Sequence, residues 1–426
     1  MCNIMLPEIA NNLGLPSVST GGWLSGLANG LKKNYPEIEL TVSFPNIYGT
    51  NIDGSVNNLH YYGFGFSNAK SNYKNECEEY FNNILKKINP DVIHIFGTEY
   101  PHSLAMVNAC EKMQIIDRVV INIQGMVSVY SKHYMADLPW KHTYIATLRD
   151  LIKKECIYQT SKKFEKKGKF EIEAIKKCKN IIGRTDWDRA CTYQINDKAK
   201  YYHCNEILRD SFYGKKWNVN TCDKHTIFVS QCYNPIKGFH KIVEALELIV
   251  KHYPDTQLYT TGRNIIECSK IDRIKLPHYS NYLAKIIKEK KLENNIHFLG
   301  DLNEEEMCKQ YLKSNVFVSA SSIENSPNSV GEAMLLGVPV VSTDVGGVKN
   351  MLNHDEEGYI YPFNEYYMLA YYVEKVFSDT KKTMEMSEKA QKHAMETHNS
   401  FKNTNDMVEI YEDIIKNNKR KIYEND

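Results

Sequence analysis

Two glutamates with seven residues between them, Glu324 and Glu332, are the side chains best spaced to do chemistry. They lie in SSIENSPNSVGEAMLLGVPVVSTDV, residues 321–345. Pro327 disfavours helix in the residue before it, which predicts a loop at Glu324 and a helix from about Ser329 that carries Glu332. Eight helical positions span about 12 Å, comparable to the reach across a nucleotide sugar. A carboxylate at each end can accept hydrogen bonds from ligand hydroxyls. The backbone N–H groups of Asn328, Ser329 and Val330 would then be unpaired donors at a helix N-terminus, suited to a phosphate. The same letters have a plainer reading, because Ser329-Val330-Gly331-Glu332 is also a capping-box pattern. On spacing alone both readings stand.

Other groups are weighed the same way. Lys237 sits in Pro235-Ile236-Lys237-Gly238, just before a helical pattern. It can neutralise a phosphate there, or it can be a solvated surface lysine. Gly21 and Gly22 open another helical pattern, and a missing Cβ lets a ligand approach the main chain. Asp186-Trp187-Asp188 follows the strand-like run 180–185. A pair of acids after a strand can hold a metal diphosphate, but here the acids can equally cap a helix. We expect no metal. No G-x-G-x-x-G follows a strand, and neither a P-loop nor a G-x-S-x-G elbow occurs. Eleven cysteines in an odd, irregular set without a C-x-x-C pair exclude a disulfide framework and a zinc ribbon. They read as reduced thiols of a cytoplasmic protein.

The elements that must position these residues alternate between strands and helices. Strand patterns fall at 38–44, 91–97, 119–125 and 180–183, and again at 226–230, 257–261, 296–300, 316–320 and 338–343, with helical periodicity between them. That order implies βαβ units and parallel sheets buried on both faces. Residues 205–223 lack a period. The expected division is therefore a domain at 1–205, a linker at 206–223, a second domain at 224–395, and a C-terminal helix at 396–426 that packs back on the first domain. Ligands of such sheets bind at the carboxyl ends of the strands, near the switch in strand order.

The balance of 53 basic against 52 acidic residues excludes a chain that lives on nucleic-acid phosphates. There is no 18-residue apolar run and no visible secretory signal. Residues 149–179 are locally basic. They suit peripheral contact with an anionic membrane, on the inner face of the plasma membrane, while Glu155, Glu165, Glu171 and Glu173 also fit an ordinary solvated face.

The E-x7-E stretch, the following A-M-x-x-G-x-P-V-V and the V-G-G turn together resemble glycosyltransferase family 4. The resemblance extends to the K-G element at Lys237-Gly238, to Glu357-Gly358-Tyr359 through Pro362, and more weakly to Gly21-Gly22 and the strand DVIHIFGT. It is specific over about 226–377. It implies a GT-B fold, with two Rossmann-like doubly wound α/β domains facing a central cleft. It also implies retaining transfer of a sugar from a nucleotide-diphosphate donor to a glycan or lipid-linked acceptor, in polysaccharide, capsule or other glycoconjugate biosynthesis, with no cofactor. On this likeness Glu324 contacts the transferred sugar, Glu332 the ribose, and Lys237 the diphosphate. Asn328, Ser329 and Val330 supply backbone donors, and Gly21 and Gly22 admit the donor. The family's Arg before the K-G element is missing, and Arg263 is the candidate replacement. Its N-terminal His is replaced by Gln124, which orients but takes no proton at neutral pH. His102 is the candidate for an open-cleft role, whereas His94 reads as a core residue. The likeness also admits a sugar-nucleotide 2-epimerase or a non-catalytic partner subunit.

Overall fold

The computed structural model describes residues 1–16, 21–65 and 75–425, without the side chains of Lys270 and 420–425. The chain divides into two compact units. One contains residues 1–129, 163–209 and 398–426, and the other 130–162 and 210–397. Each is described by itself.

The first unit holds two small sheets. In one, β1 (Leu40–Pro45) pairs in parallel with β3 (Leu59–Phe64), which pairs antiparallel with β2 (Ile52–Val56). The β2–β3 turn is Asn57-Asn58, both at positive φ (47° and 61°). Asparagine tolerates that region and so closes a tight hairpin. Periodicity did not reveal this hairpin, because IDGSV is short and mostly exposed. The other sheet is parallel, in the order β4 (Ile93–Phe96), β5 (Val119–Asn122), β6 (Asn180–Gly183), β7 (Lys200–His203). Its inner strands are runs of buried β-branched residues, as a sheet covered on both faces requires. The first residues of the chain link the two sheets. Cys2 N–H donates to Ser43 O, and Phe96 N–H donates to Met1 O, each at 2.9 Å. The helix Ser400–Asn425 closes this unit. Met407, Val408, Ile410 and Ile414 share a core with Leu27, Leu31, Val120 and Ile182.

The second unit is a six-stranded parallel sheet. Its strands are β8 (Asp223–Val229), β9 (Gln257–Thr260), β10 (Ile296–Phe298), β11 (Ser314–Ser319), β12 (Val340–Thr343) and β13 (Tyr359–Tyr361). The spatial order is β10-β9-β8-β11-β12-β13. The chain builds outward from β8 in one direction, then returns to lay β11 on the other side of it. The switch point is therefore between β8 and β11. The helix Phe239–His252 after β8 buries Ile242, Val243, Leu246 and Ile249, an i, i+3/i+4 stripe, against the sheet.

Two stretches differ from their sequence reading. Residues 210–223, inside the predicted linker, are packed rather than loose. Trp217 is buried, its indole N–H donates to Ser314 O at 2.8 Å, and its backbone N–H donates to Leu336 O. Residues 130–162, which fall within the span 1–205, cluster with the second unit. His240 Nε2 bonds Ala136 O at 2.9 Å, Lys241 pairs with Asp137 at 2.8 Å, and Ser322 Oγ donates to His133 O. These contacts join residues 104 to 189 positions apart, beyond the reach of periodicity. Among the described residues no helix is long and apolar enough to cross a membrane.

Candidate functional site

The carboxyl ends of β8 and β11 each present one charged side chain, and the two meet. Lys237 stands in the 3-10 turn Pro235–Lys237 after β8, where the Asn234 side chain accepts from Ile236 N–H. Glu324 stands in the loop after β11. Lys237 Nζ donates to Glu324 Oε1 at 2.6 Å, and Ser321 Oγ donates to the same oxygen at 2.6 Å. The glutamate is nearly buried, while the lysine side chain keeps 29% exposure. A cation thus lies at the mouth of the switch-point crevice, with a carboxylate behind it that two donors fix in place.

Glycines let the turns interlock. Gly238 sits at φ +66°, and a Cβ there would fall 1.8 Å from Ala320 O. Gly346, after β12, sits at φ +53°, and its Cβ would fall 1.7 Å from Glu324 O. Any side chain at either position collides with backbone and not with a movable group. The turns are also pinned by hydrogen bonds. Ser322 N–H donates to Ile236 O at 2.8 Å, Gly347 N–H to Glu324 O at 3.1 Å, and Thr343 Oγ1 to Ser321 O at 2.7 Å. Three neighbouring strand-end loops therefore hold Lys237 and Glu324 as one piece.

The other predicted residues of this unit are placed as follows. The helix runs Asn328–Leu336, with Pro327 at its N-cap. Val330 N–H donates to Pro327 O at 3.0 Å, closing the first turn. The expectation of a free donor at Val330 is thus corrected: a 3-10-type bond already satisfies it. Glu332 is buried in this helix beside Cys308, whose thiol is pushed up by burial first and also by the Glu305 and Glu332 carboxylates. Arg263 follows β9 and is half exposed. Its guanidinium pairs with Asp272 at 3.2 Å, and its N–H donates to the Tyr233 hydroxyl.

Gly21, Gly22, Gln124 and His102 belong to the first unit. Gly21 is the left-handed N-cap (φ +83°) of the helix Gly22–Asn34. A Cβ at Gly22 would meet the Arg209 side chain at 2.2 Å, so a larger residue there needs that side chain to move. Gln124 follows β5, and its Nε2 donates to Asn122 Oδ1 at 2.7 Å. His102 is a correction. It is buried, stacked on Tyr100 with ring centroids 5.4 Å apart and edge-on to Phe64, and its Nε2 bonds Asn3 Oδ1 at 2.7 Å. The helix it opens is covered from Pro101 through Val107, so its first turn has no open face. His94 is a core residue. Burial lowers its pKa well below the usual imidazole value, and its Nδ1 bonds the Tyr411 hydroxyl at 2.8 Å.

Asp186 and Asp188 open the helix Asp186–Ile195. Thr185 Oγ1 accepts from Asp188 N–H. The Asp188 carboxylate is buried and accepts from Arg184 N–H at 2.9 Å and from the Tyr201 hydroxyl at 2.5 Å. Its role is structural. No cluster of three or more His, Cys, Asp or Glu side chains fit to hold a metal occurs among the described residues.

Three residues near strand ends of the first unit, Glu99, Arg184 and Glu206, escaped the sequence reading. Glu99 stands one position past the quoted DVIHIFGT. Burial above all, with the Glu171 carboxylate nearby, raises its pKa to about 7, and Asn3 Nδ2 donates to it at 2.9 Å. Arg184, after β6, pairs with Glu206 at 2.6 Å, both nearly buried. The only signal was a charge within three residues of a strand's end.

Residues 212–393 match the family model of glycosyl transferases group 1. A curated relative, N-acetyl-alpha-D-glucosaminyl L-malate synthase of Bacillus anthracis, is 22% identical over 205 residues, covering 48% of this chain and 49% of the relative. The chain thus spans about half the length of the curated relatives it matches. Among solved structures, sucrose-phosphate synthase of Thermosynechococcus elongatus superposes with a TM-score of 0.68 at 14% identity, covering 92% of both chains. HepE of Anabaena in complex with UDP-glucose gives 0.63 at 15% identity, over 92% of this chain and 96% of that one. The structural likenesses are of fold: the chain has the α/β GT-B architecture.

Proposed function

We propose that the protein is a retaining glycosyltransferase of the family 4 kind, moving a sugar from a nucleotide-diphosphate donor to an acceptor hydroxyl. The observation that carries this reading is the contact of Lys237 with Glu324 across the switch point, at the place where open parallel sheets bind ligands. In this reading the donor diphosphate replaces Glu324 as the partner of Lys237, and the released carboxylate turns to the hydroxyls of the transferred sugar. The hard step is departure of the diphosphate as positive charge grows on the anomeric carbon. Lys237, fixed beforehand by the interlocked turns, stabilises the leaving negative charge where it develops. The acceptor attacks from the face the diphosphate leaves, and a donor phosphate oxygen takes its proton. Glu332 holds the ribose, Asn328 and Ser329 add backbone donors, and Arg263 can leave Asp272 for the diphosphate. We assign donor binding to 224–395 and acceptor binding to 1–205. The eleven free thiols support work in a reducing, cytoplasmic compartment. A glycan or lipid-linked acceptor fits the glycoconjugate reading.

The test is a thermal-shift screen of nucleotide sugars, UDP-glucose first, followed by mass spectrometry of products on candidate acceptors. Stabilisation by one donor and mass gain on an acceptor, both lost in Lys237→Ala, support the proposal. Donor isomerised with no acceptor gaining mass identifies an epimerase instead. No donor bound until a partner protein is added identifies a non-catalytic subunit.

A further inference from the structure

Six large apolar side chains within residues 140–152 are exposed: Trp140 (78%), Tyr144, Ile145, Leu148, Leu151 and Ile152 (75%). They are arranged by two short helices, Trp140–Tyr144 and Leu148–Lys153. Trp140 and Tyr144 are spaced i, i+4, and Leu148, Leu151 and Ile152 are spaced i, i+3, i+4, so each helix turns one apolar face outward. The outward facing is built, because the opposite side is tied down. Thr143 and Asp150 are buried. Thr147 and Asp150 form a reciprocal capping box, the Asp150 carboxylate also accepts from His278 N–H at 2.8 Å, and Thr147 Oγ1 donates to Leu276 O. His142 bonds His278 at 3.0 Å. An ordered apolar cluster held open to water marks a contact surface.

The chemistry of its rim selects the contact. Residues 140–154 carry Lys141, Arg149, Lys153 and Lys154 against one acid, Asp150, which is buried. Lys141, Lys153 and Lys154 are exposed beside the apolar faces. Trp and Tyr at the level of lysines, over Leu and Ile, are the residues that settle at a lipid headgroup boundary. Neither helix is long enough to span a bilayer. We propose that residues 140–154 form a docking surface for an anionic lipid membrane. The contact thus lies N-terminal to most of the basic stretch 149–179. The helix Ile157–Lys177 that follows aims a buried Glu171 at Thr98, Val127 and Ser128.

Flotation of the full chain with vesicles tests this without any nucleotide sugar, so the outcome is independent of the glycosyltransferase reading. Vesicles of phosphatidylglycerol and phosphatidylcholine in equal parts are compared with phosphatidylcholine alone. Binding to the anionic vesicles is expected, and it should weaken as salt rises. Combined Trp140→Ser, Leu148→Ser and Ile152→Ser should lower it at least about tenfold. Combined Lys141→Glu, Lys153→Glu and Lys154→Glu should lower it by a similar factor. Melting curves that match the parent chain show that both variants are folded. The proposal is overturned if the parent does not float with anionic vesicles, or if both variants float as it does. It is also overturned if the parent sediments as a dimer that the serine variant makes monomeric while neither binds vesicles.

Discussion

The two units carry charges at the carboxyl ends of their parallel strands in opposite ways. In the second unit the strand order reverses between β8 and β11, and the lysine and carboxylate facing across that point keep access to solvent on the lysine side. In the four-stranded sheet of the first unit the order β4-β5-β6-β7 runs without reversal, and Arg184 after β6 is paired with Glu206 nearly out of contact with water. In the proposed function, the first of these pairs gives up its internal partner to a ligand. The other is a buried ion pair, whose Arg184 also donates to the Ile123 and Gln124 carbonyls and so holds loops together. A charge at a strand end is therefore functional evidence only when the topology leaves it a crevice.

Substitutions should separate the two roles. The largest effect is expected for Lys237→Ala and Glu324→Ala, each lowering transfer by about a thousandfold, roughly 4 kcal/mol, with little change in melting temperature. Near-normal rates in both would remove the contrast. Arg184→Ala should do the reverse. Removing the cation beside the buried Glu206 carboxylate should cost about 3 kcal/mol of stability in urea unfolding, while the donor-induced thermal shift is retained.

Acidity gives the next smaller effect. Burial lowers the pKa of His240 from 6.5 to about 4. A depressed histidine contributes stability that is complete above 6.5 and is lost as pH falls toward 4, because only the unfolded chain takes up the proton. From pH 7 to pH 5 the loss should be about 2 kcal/mol, and His240→Gln should flatten it. Glu99 has the opposite sign. Its pKa is raised from 4.5 to about 7, so its contribution is complete below 4.5 and lost as pH rises through 7. Glu99→Gln should remove about 1 kcal/mol of that decline, discounted for its partial exposure. Unfolding curves of the two variants at pH 5, 6 and 7 would resolve the opposing slopes.

The second unit was the more legible one for physical reasons. Its strands are continuous apolar runs, and its site rests on short-range letters: a lysine before a glycine, a glutamate before a proline, two glycines in a turn. Two of those glycines, Gly238 and Gly346, prove to be forced by a backbone collision. Most of what escaped depended on distance in sequence. His102 reads as a helix-opening polar residue, and only the assembled fold shows Phe64, Tyr100 and Asn3 enclosing it. The Val330 donor reads as free until the Pro327 carbonyl is seen to curl onto it. The tether of 130–137 to His240, Lys241 and Ser322 leaves no trace in any local window.

The first unit draws on three separated stretches of chain, and the second on two. Part of the first unit's core consists of Met407, Val408, Ile410 and Ile414. On a ribosome these residues emerge after the whole six-stranded sheet, so the sheet made first must wait for the helix made last. The order of completion is thus the inverse of the order of synthesis. Chain released just before residue 398 would carry a finished second unit beside a first unit whose Leu27, Leu31, Val120 and Ile182 still face water.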